Sequence, residues 1–139
     1  MTGVRHQYAR FGRFNLVGLC GAGLQLLLFE LLSKRSHLPD ALAAALAVEF
    51  VVLHNFFWHE QFTWRDRGRP GFRPRALRLF RFHLTNGLLS IAGNALLVHC
   101  LVDQLNEPPL PSALAAIALC APVNFLLADR WVYQTSTSA

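Results

Sequence analysis

Polar side chains inside long apolar segments are the residues of this 139-residue chain whose type and position suit chemistry. Glu49, Asn55, Asn94 and Asn124 each interrupt such a segment. An ionisable or amide group at membrane depth is costly without a hydrogen-bond partner, so it is a candidate functional group by default. Two structural alternatives stay open: Glu49 as a protonated, packed carboxyl, and the amides as hydrogen-bond links between helices.

Four apolar segments carry these residues, at roughly 14–32, 40–58, 82–102 and 109–127. Each is close to the length of about 20 residues that a helix needs to cross a bilayer core. Hydrophobic residues make up 53% of the chain and charged residues 15%, whereas a soluble domain has about 25% charged residues. This composition excludes a disordered or fibrous chain and predicts an all-α fold, an integral membrane four-helix bundle.

Lys and Arg are concentrated on one side of these segments. Eleven of the 13 lie in the N-terminal tail 1–13, in the loop 59–81 or just after the fourth segment, and the other two are Lys34 and Arg35. The positive-inside rule therefore places both termini and the central loop in the cytoplasm. The predicted plan is a tail 1–13, a transmembrane domain 14–133 with the basic cytoplasmic loop 59–81, and a tail 134–139. Contact with anionic membrane lipids explains the basic charge without a nucleic-acid partner.

Residues for metal binding or covalent catalysis do not form a recognisable set. The sequence HEQFT at 59–63 begins like a zinc-protease motif but has Thr63 where a second His is required. Cys20, Cys100 and Cys120 contain no CxxC pair and lie in apolar segments, so we interpret them as packing residues. We predict no catalytic residues, no metal and no cofactor, and hence a protein that is not an enzyme.

The chain repeats itself at a shift of 69 residues. The matched pairs are Asn55 and Asn124, Phe56 and Phe125, Glu60 and Asp129, Gly18 and Gly87, and Gln25 and Asn94. Arg13-Phe14 matches Arg81-Phe82 with a slip of one residue. The repeat predicts two helical hairpins in parallel orientation. Gly18, Gly21 and Gly23 predict a close contact between helices.

Short motifs in a fixed order carry a resemblance to a known family. Residues 13–18 read RFNLVG, Asn55-Phe56 ends the second segment, and an aromatic-Thr-aromatic exit follows at 62–64. Asn124-Phe125 leads to a second exit, RWVY at 130–133. Over residues 13–133 the chain resembles the GtrA-like family of small four-span bacterial membrane proteins. It departs from the family pattern at 59–61, where HEQ stands in place of a segment that commonly carries a basic residue.

The resemblance implies a part in cell-surface polysaccharide biosynthesis at the bacterial inner membrane. Such proteins are thought to assist the flipping of a polyprenyl-phosphate-linked sugar that a partner glycosyltransferase makes. Under this function, Glu49, Asn55, Asn94 and Asn124 are the candidate sugar-binding residues, because sugar hydroxyls pair with amides and carboxylates. The candidate residues for the lipid phosphate are Arg13, Arg81 and Arg130, because guanidinium groups bind phosphate in a fork.

Two other functions stay open on the sequence. The chain could be a non-transporting membrane anchor, an accessory subunit that binds a glycosyltransferase through its basic loop. It could also be a small proton-coupled multidrug exporter, although such exporters carry their essential carboxylate in the first span and Glu49 lies in the second. Four short helices enclose a small interior, so we expect a homo-oligomer or a partner protein if a prenyl-linked sugar must cross.

Overall fold

The computed structural model describes residues 2–35, 38–68 and 71–134, and most of them are helical. Five α-helices follow one another: α1 (Thr2–Arg35), α2 (Asp40–Trp58), α3 (Phe72–Phe82), α4 (Ser90–His99) and α5 (Pro109–Leu127). Four π-helical segments lie at His59–Thr63, His83–Leu89, Cys100–Gln104 and Ala128–Val132, and a 3-10 turn at Arg65–Arg67. The described residues contain no strand, which confirms the predicted all-α fold.

Four of these helical stretches are long and apolar enough to cross a membrane, as the sequence predicts. They run over His6–Arg35, Asp40–Thr63, Phe72–Gln104 and Pro111–Val132. Large apolar side chains point outward along them; Leu19 and Leu26 are each 72% exposed. Exposed apolar area of this extent is unusual for a soluble monomer and suits a lipid environment.

The chain divides into two compact units, Met1–Arg69 and Pro70–Ala139. The first unit pairs α1 with α2, and the second pairs the long helical stretch Phe72–Gln104 with α5. Each unit is thus one helical hairpin, as the sequence repeat predicts. We call them the first and the second hairpin.

Helices extend into the segments predicted as a tail and a loop. The bounds of α2 and α5 coincide with the predicted segments 40–58 and 109–127. However, α1 begins at Thr2, and its 34 residues give a length of about 51 Å at 1.5 Å per residue. Much of the segment 59–81 is helical as well. Arg, Leu and Ala are good helix formers, so a dense run of charge marks the membrane boundary without ending the helix. Of the tail 134–139, only Gln134 lies within the described residues.

Small residues bring the two helices of the first hairpin together. Ala43 and Ala47 are fully buried on α2, and Val51 continues the same stripe one turn later. Phe14 and Val17 are the buried apolar side chains of α1. Because lipid tails are as apolar as these side chains, close van der Waals packing at small residues is what favours the pairing.

An extra residue in the second hairpin is taken up by a π-helical turn. Arg13 corresponds to Arg81 at a shift of 68 residues, whereas Gly18 corresponds to Gly87 at a shift of 69. The added residue therefore lies where the chain is π-helical, over His83–Leu89, while α1 stays α-helical in the matching region. A single π turn accommodates an inserted residue without rotating the helix before it against the helix after it.

Side-chain hydrogen bonds support this π turn. Thr85 is fully buried, and its hydroxyl donates to the carbonyl oxygens of Arg81 at 3.1 Å and Phe82 at 3.3 Å. The ring nitrogen Nδ1 of His83 lies 3.1 Å from the carbonyl oxygen of Leu79. Carbonyl groups at the wider turn thereby keep polar partners inside an apolar environment.

Deletion of one residue should be tolerated in the π turn and not in α1. Deleting Leu84 restores the spacing of the first hairpin, so the free energy of unfolding should fall by about 1 kcal/mol or less. Deleting Leu16 rotates the preceding turns by about 100° and should cost about 3 kcal/mol or more, because buried ring packing is lost. Unfolding in mixed micelles, followed by circular dichroism, measures both. Equal losses for the two deletions would contradict the insertion argument.

Candidate functional site

At one end of the first hairpin, where α1 enters the apolar region and α2 leaves it, an arginine lies over an aromatic ring. We call this the exit end; it comprises residues 10–14 and 59–66. The guanidinium carbon of Arg13 lies 5.3 Å from the centre of the Phe62 ring. Beside it, Phe14 and Trp64 pack edge to face, with ring centres 5.9 Å apart and planes at 72°. A guanidinium placed over a ring keeps N–H groups available to an anion, because the ring accepts none of them as a conventional hydrogen bond.

The second hairpin repeats this arrangement at its own exit end, residues 78–82 and 128–133. The guanidinium carbon of Arg81 lies 5.8 Å from the Trp131 ring, and Phe82 and Tyr133 pack edge to face at 6.3 Å and 70°. The sequence repeat is therefore also a repeat of tertiary contacts. These contacts fix where two of the predicted phosphate-binding residues, Arg13 and Arg81, stand in their hairpins.

The two exit ends differ in what surrounds the cation. In the first hairpin a buried His59 stacks on Phe14 at 4.8 Å and 12°, with its Nδ1 atom 3.0 Å from the Thr63 hydroxyl. In the second hairpin Ala128 takes the position of His59. There, Nη1 of Arg81 donates to the carbonyl oxygen of Trp131 at 3.3 Å, so part of this guanidinium is engaged by its own hairpin.

The arginines one helical turn before Arg13 and Arg81 also have partners within their own hairpins. Arg10 forms an ion pair with Asp66 at 2.6 Å. Its counterpart in the repeat, Arg78, is buried with its guanidinium carbon 5.3 Å from the Tyr133 ring. Both cations thus help to hold an exit end together, which leaves Arg13 as the better candidate for an external anion.

Two of the predicted sugar-binding amides meet at one serine in the second hairpin. Nδ2 of Asn94 donates to the backbone carbonyl oxygen of Ser90 at 2.8 Å. Nδ2 of Asn124 donates to the Ser90 hydroxyl at 2.5 Å. The link joins α4 to α5 within the apolar part of the hairpin. Sequence analysis did not identify Ser90 as this link, although the repeat aligns it with Gly21 in the first hairpin.

The amide oxygen of Asn94 is a buried acceptor that receives no hydrogen bond from the described residues. Its orientation is determined by the Ser90 carbonyl, which can only accept and so must face the amide nitrogen. A buried acceptor without a donor costs about 1–3 kcal/mol. This oxygen is suited to receive a hydroxyl hydrogen from a ligand.

The matching position in the first hairpin has no hydroxyl. Asn55 lies against Gly21: a Cβ atom built on Gly21 would fall 2.7 Å from the amide nitrogen and 2.9 Å from the amide carbon. The amide oxygen of Asn55 lies 3.2 Å from Nδ1 of His54. Glycine thus makes room for the amide here, whereas serine binds it in the second hairpin.

The predicted glycine contact is only partly right. Gly21 is buried against α2, but a Cβ atom on Gly18 or Gly23 would meet nothing within 4 Å. At 100° per residue, Gly23 lies on the opposite side of α1 from Gly21, whereas Gly18 lies only about 60° from Gly21 and still meets no atom of α2.

The remaining predicted residues lie on exposed faces of their helices. Glu49 is exposed on the face of α2 opposite to the Ala43–Ala47 stripe, so it points away from α1. Arg130 is exposed beside Trp131 at the second exit end. The structure brings Asn94 and Asn124 together, and it gives Glu49 no place in the packed interface of its own hairpin. Its role in sugar binding stays a prediction.

A family model described as "GtrA/DPMS, transmembrane domain" matches residues 13–133. The match covers most of both hairpins, including the aromatic-ring contacts of Arg13 and Arg81, and its bounds are those of the sequence resemblance. Comparison with curated protein sequences gave no match.

Substitution of the three glycines of α1 tests the fit of Asn55 against this helix. Gly21→Ala places a methyl group against the amide and should lower the free energy of unfolding by about 1–3 kcal/mol. Gly18→Ala and Gly23→Ala are matched controls on open faces, and each should raise it by up to about 1 kcal/mol. Adding Asn55→Ala to Gly21→Ala should restore much of the loss. The same loss at all three glycines would contradict the contact.

Proposed function

This chain belongs to the family described as the GtrA/DPMS transmembrane domain, and on this premise we propose that it translocates a polyprenyl-phosphate-linked sugar across a membrane. Membership makes it a membrane protein of glycosyl-carrier-lipid sugar biosynthesis, which works with membrane lipids and polyprenyl-phosphate sugars. Translocation is the step we add. The buried amide oxygen of Asn94, which receives no hydrogen bond from the described residues, is the observation that carries it.

The chemistry of the second hairpin supports a sugar ligand. Asn94 and Asn124 hold Ser90 between them, which orients three polar groups within an apolar helix pair. A sugar hydroxyl both donates and accepts, so it can satisfy the Asn94 oxygen and pair again with a neighbouring amide or hydroxyl. If this cluster only linked the two helices, every buried acceptor in it should receive a hydrogen bond, because a buried acceptor without a donor is unfavourable.

The chemistry of the exit ends supports a phosphate ligand. The guanidinium carbon of Arg13 lies over the Phe62 ring, 5.3 Å from its centre, and the group carries five N–H donors. This geometry suits bidentate binding of a phosphate, which an ammonium group reproduces poorly. We assign the exit ends to the cytoplasmic side of the cell inner membrane, with both termini there, because eleven of the 13 Lys and Arg residues lie on that side. The protein then acts as a carrier without catalysis.

A second candidate function is favoured by α3. This helix exposes Phe72 (87%) and Phe80 (60%) beside Arg73 and Arg75. Aromatic and arginine side chains are enriched at protein interfaces. The alternative is therefore an accessory subunit that holds a partner glycosyltransferase against the membrane. Substituting Arg73 and Arg75 by Gln should release such a partner in co-purification and leave lipid translocation by the isolated chain intact.

A reconstituted-liposome assay tests translocation directly. Polyprenyl-phosphate-glucose is placed in both leaflets, and a membrane-impermeant oxidant reports the accessible fraction over time. Wild type should expose the inner-leaflet pool, and Glu49→Gln should slow this by about tenfold, which corresponds to about 1.4 kcal/mol of barrier. Glu30→Gln is the matched control, because Glu30 is exposed and paired with Lys34 at 2.6 Å near the far end of α1. Exposure no faster than in empty liposomes would favour the accessory function.

Substitution of Asn94 separates a ligand contact from a structural one. Asn94→Leu removes the orphaned acceptor, so the free energy of unfolding should rise by about 1 kcal/mol while translocation slows by about tenfold. Asn15→Leu is the matched control: Asn15 also donates to a carbonyl four residues earlier, that of Phe11 at 2.9 Å. The Asn15→Leu variant should translocate lipid at a rate within about twofold of wild type. Unchanged translocation with Asn94→Leu would remove Asn94 from the path.

A further inference from the structure

The first hairpin contains an open cleft between α1 and the exit of α2. Its volume is about 310 Å³. The wall consists of apolar and weakly polar side chains: Leu16, Val17, Cys20, His54, Trp58 and Phe62. Leu16 and Trp58 are about half exposed, so a chain in the surrounding lipid can enter from the side.

A cation lies one ring away from the cleft. Phe62 lines the cleft, and the guanidinium carbon of Arg13 lies 5.3 Å from the centre of the same ring. The lining residues themselves include no Lys, Arg, Asp or Glu. An apolar slot with a guanidinium over one of its wall rings complements an amphiphile that has an anionic head directly attached to an apolar chain.

We propose that this cleft holds the first isoprene units of the carrier lipid while Arg13 binds its phosphate. This inference rests on the proposed function and adds a location in the first hairpin. At about 30 Å³ for a water-sized group, the cleft has room for roughly ten heavy atoms, which is two five-carbon isoprene units. A prenyl phosphate joins its phosphate to the first isoprene unit without a spacer, whereas a phosphodiester phospholipid places a glycerol between phosphate and chains.

The second hairpin is built differently at the equivalent positions. Val123 and Leu127 replace His54 and Trp58 at the shift of 69 residues, so two of the three ring-bearing positions of the wall are aliphatic there. Arg81 is also engaged by the carbonyl oxygen of Trp131. The lipid site is therefore assigned to the first hairpin alone, although both hairpins carry an arginine on a ring.

Cys20 reports on this site in the unmodified protein. Its thiol is exposed and lines the cleft, while Cys100 and Cys120 belong to the other hairpin and serve as internal controls. The protein in detergent micelles is labelled with N-ethylmaleimide, and peptide mass spectrometry gives the rate at each cysteine. Undecaprenyl phosphate at about four times its Kd should slow labelling of Cys20 about fivefold, following 1 + [L]/Kd. The rates at Cys100 and Cys120 should not change.

Three comparisons decide what occupies the cleft. Undecaprenol, which lacks the phosphate, and phosphatidylglycerol, a phosphodiester lipid, should each protect Cys20 less than about twofold at the same concentration. Equal protection by phosphatidylglycerol would overturn the proposal, because any lipid chain would then fill the cleft. Protection of all three cysteines together would overturn it too, since a change of the micelle would explain the effect. No protection by undecaprenyl phosphate would overturn it directly.

Variants at the two exit-end arginines test the phosphate contact. Arg13→Gln should abolish protection of Cys20 by undecaprenyl phosphate, and Arg81→Gln, the matched substitution in the second hairpin, should retain it. Arg13→Lys keeps the charge and should retain part of the protection if Arg13→Gln fails to fold. Loss of protection with Arg81→Gln as well would overturn the assignment to the first hairpin.

The readout is independent of transport. If wild type moves lipid-linked sugar in liposomes and Cys20 is not protected, the cleft assignment fails and the proposed function stands. If Cys20 is protected and nothing is moved, the site stands and translocation by this chain fails.

Discussion

An arginine placed over an aromatic ring, next to an edge-to-face aromatic pair, is the contact on which each hairpin depends. In lipid there is little hydrophobic gain from pairing two helices, so packing and polar contacts must hold them together. The stacks of Arg13 on Phe62 and Arg81 on Trp131 supply such contacts where the helices leave the apolar region. The π turn follows from this constraint. With one more residue than α1, the second hairpin would rotate Arg81 and Phe82 off their rings unless a wider turn absorbed it.

The two hairpins share these exit-end contacts and differ in the side chains at other matched positions. At one position of the repeat, Gly21 leaves space for the Asn55 amide, whereas Ser90 binds the Asn124 amide and belongs to a polar cluster with Asn94. At another, Trp58 lines an apolar cleft, whereas Leu127 stands at the matching position of the second hairpin. A duplicated hairpin can diverge in this way because the stack at the exit end keeps the helices in register while single side chains change.

Sequence patterns predict the features that depend on composition over a whole segment or on a long repeat. The four spans, the bounds of α2 and α5, and the division into two hairpins are of this kind. Features that depend on the direction of one side chain are not predictable in the same way. Three glycines within six residues suggest a contact, yet only Gly21 faces α2. Glu49 is conspicuous by its depth, but depth does not say on which face of α2 it lies. The helical form of the basic segment was missed because charge indicates solvent exposure and says little about backbone conformation.

The number of polar groups in the second hairpin constrains how a sugar can pass. A hexose presents several hydroxyls, and each both donates and accepts. Asn94 offers one unsatisfied acceptor, while one N–H of its amide and one of the Asn124 amide are already bound to Ser90. Stripping the sugar of water against these groups alone would leave most hydroxyls unpaired, at about 1–3 kcal/mol each. Under the proposed translocation, the sugar would cross with part of its water shell, or against polar groups outside this cluster. Because Glu49 lies on the face of α2 turned away from α1, it is a group that such a hydrated path or neighbouring chain could reach.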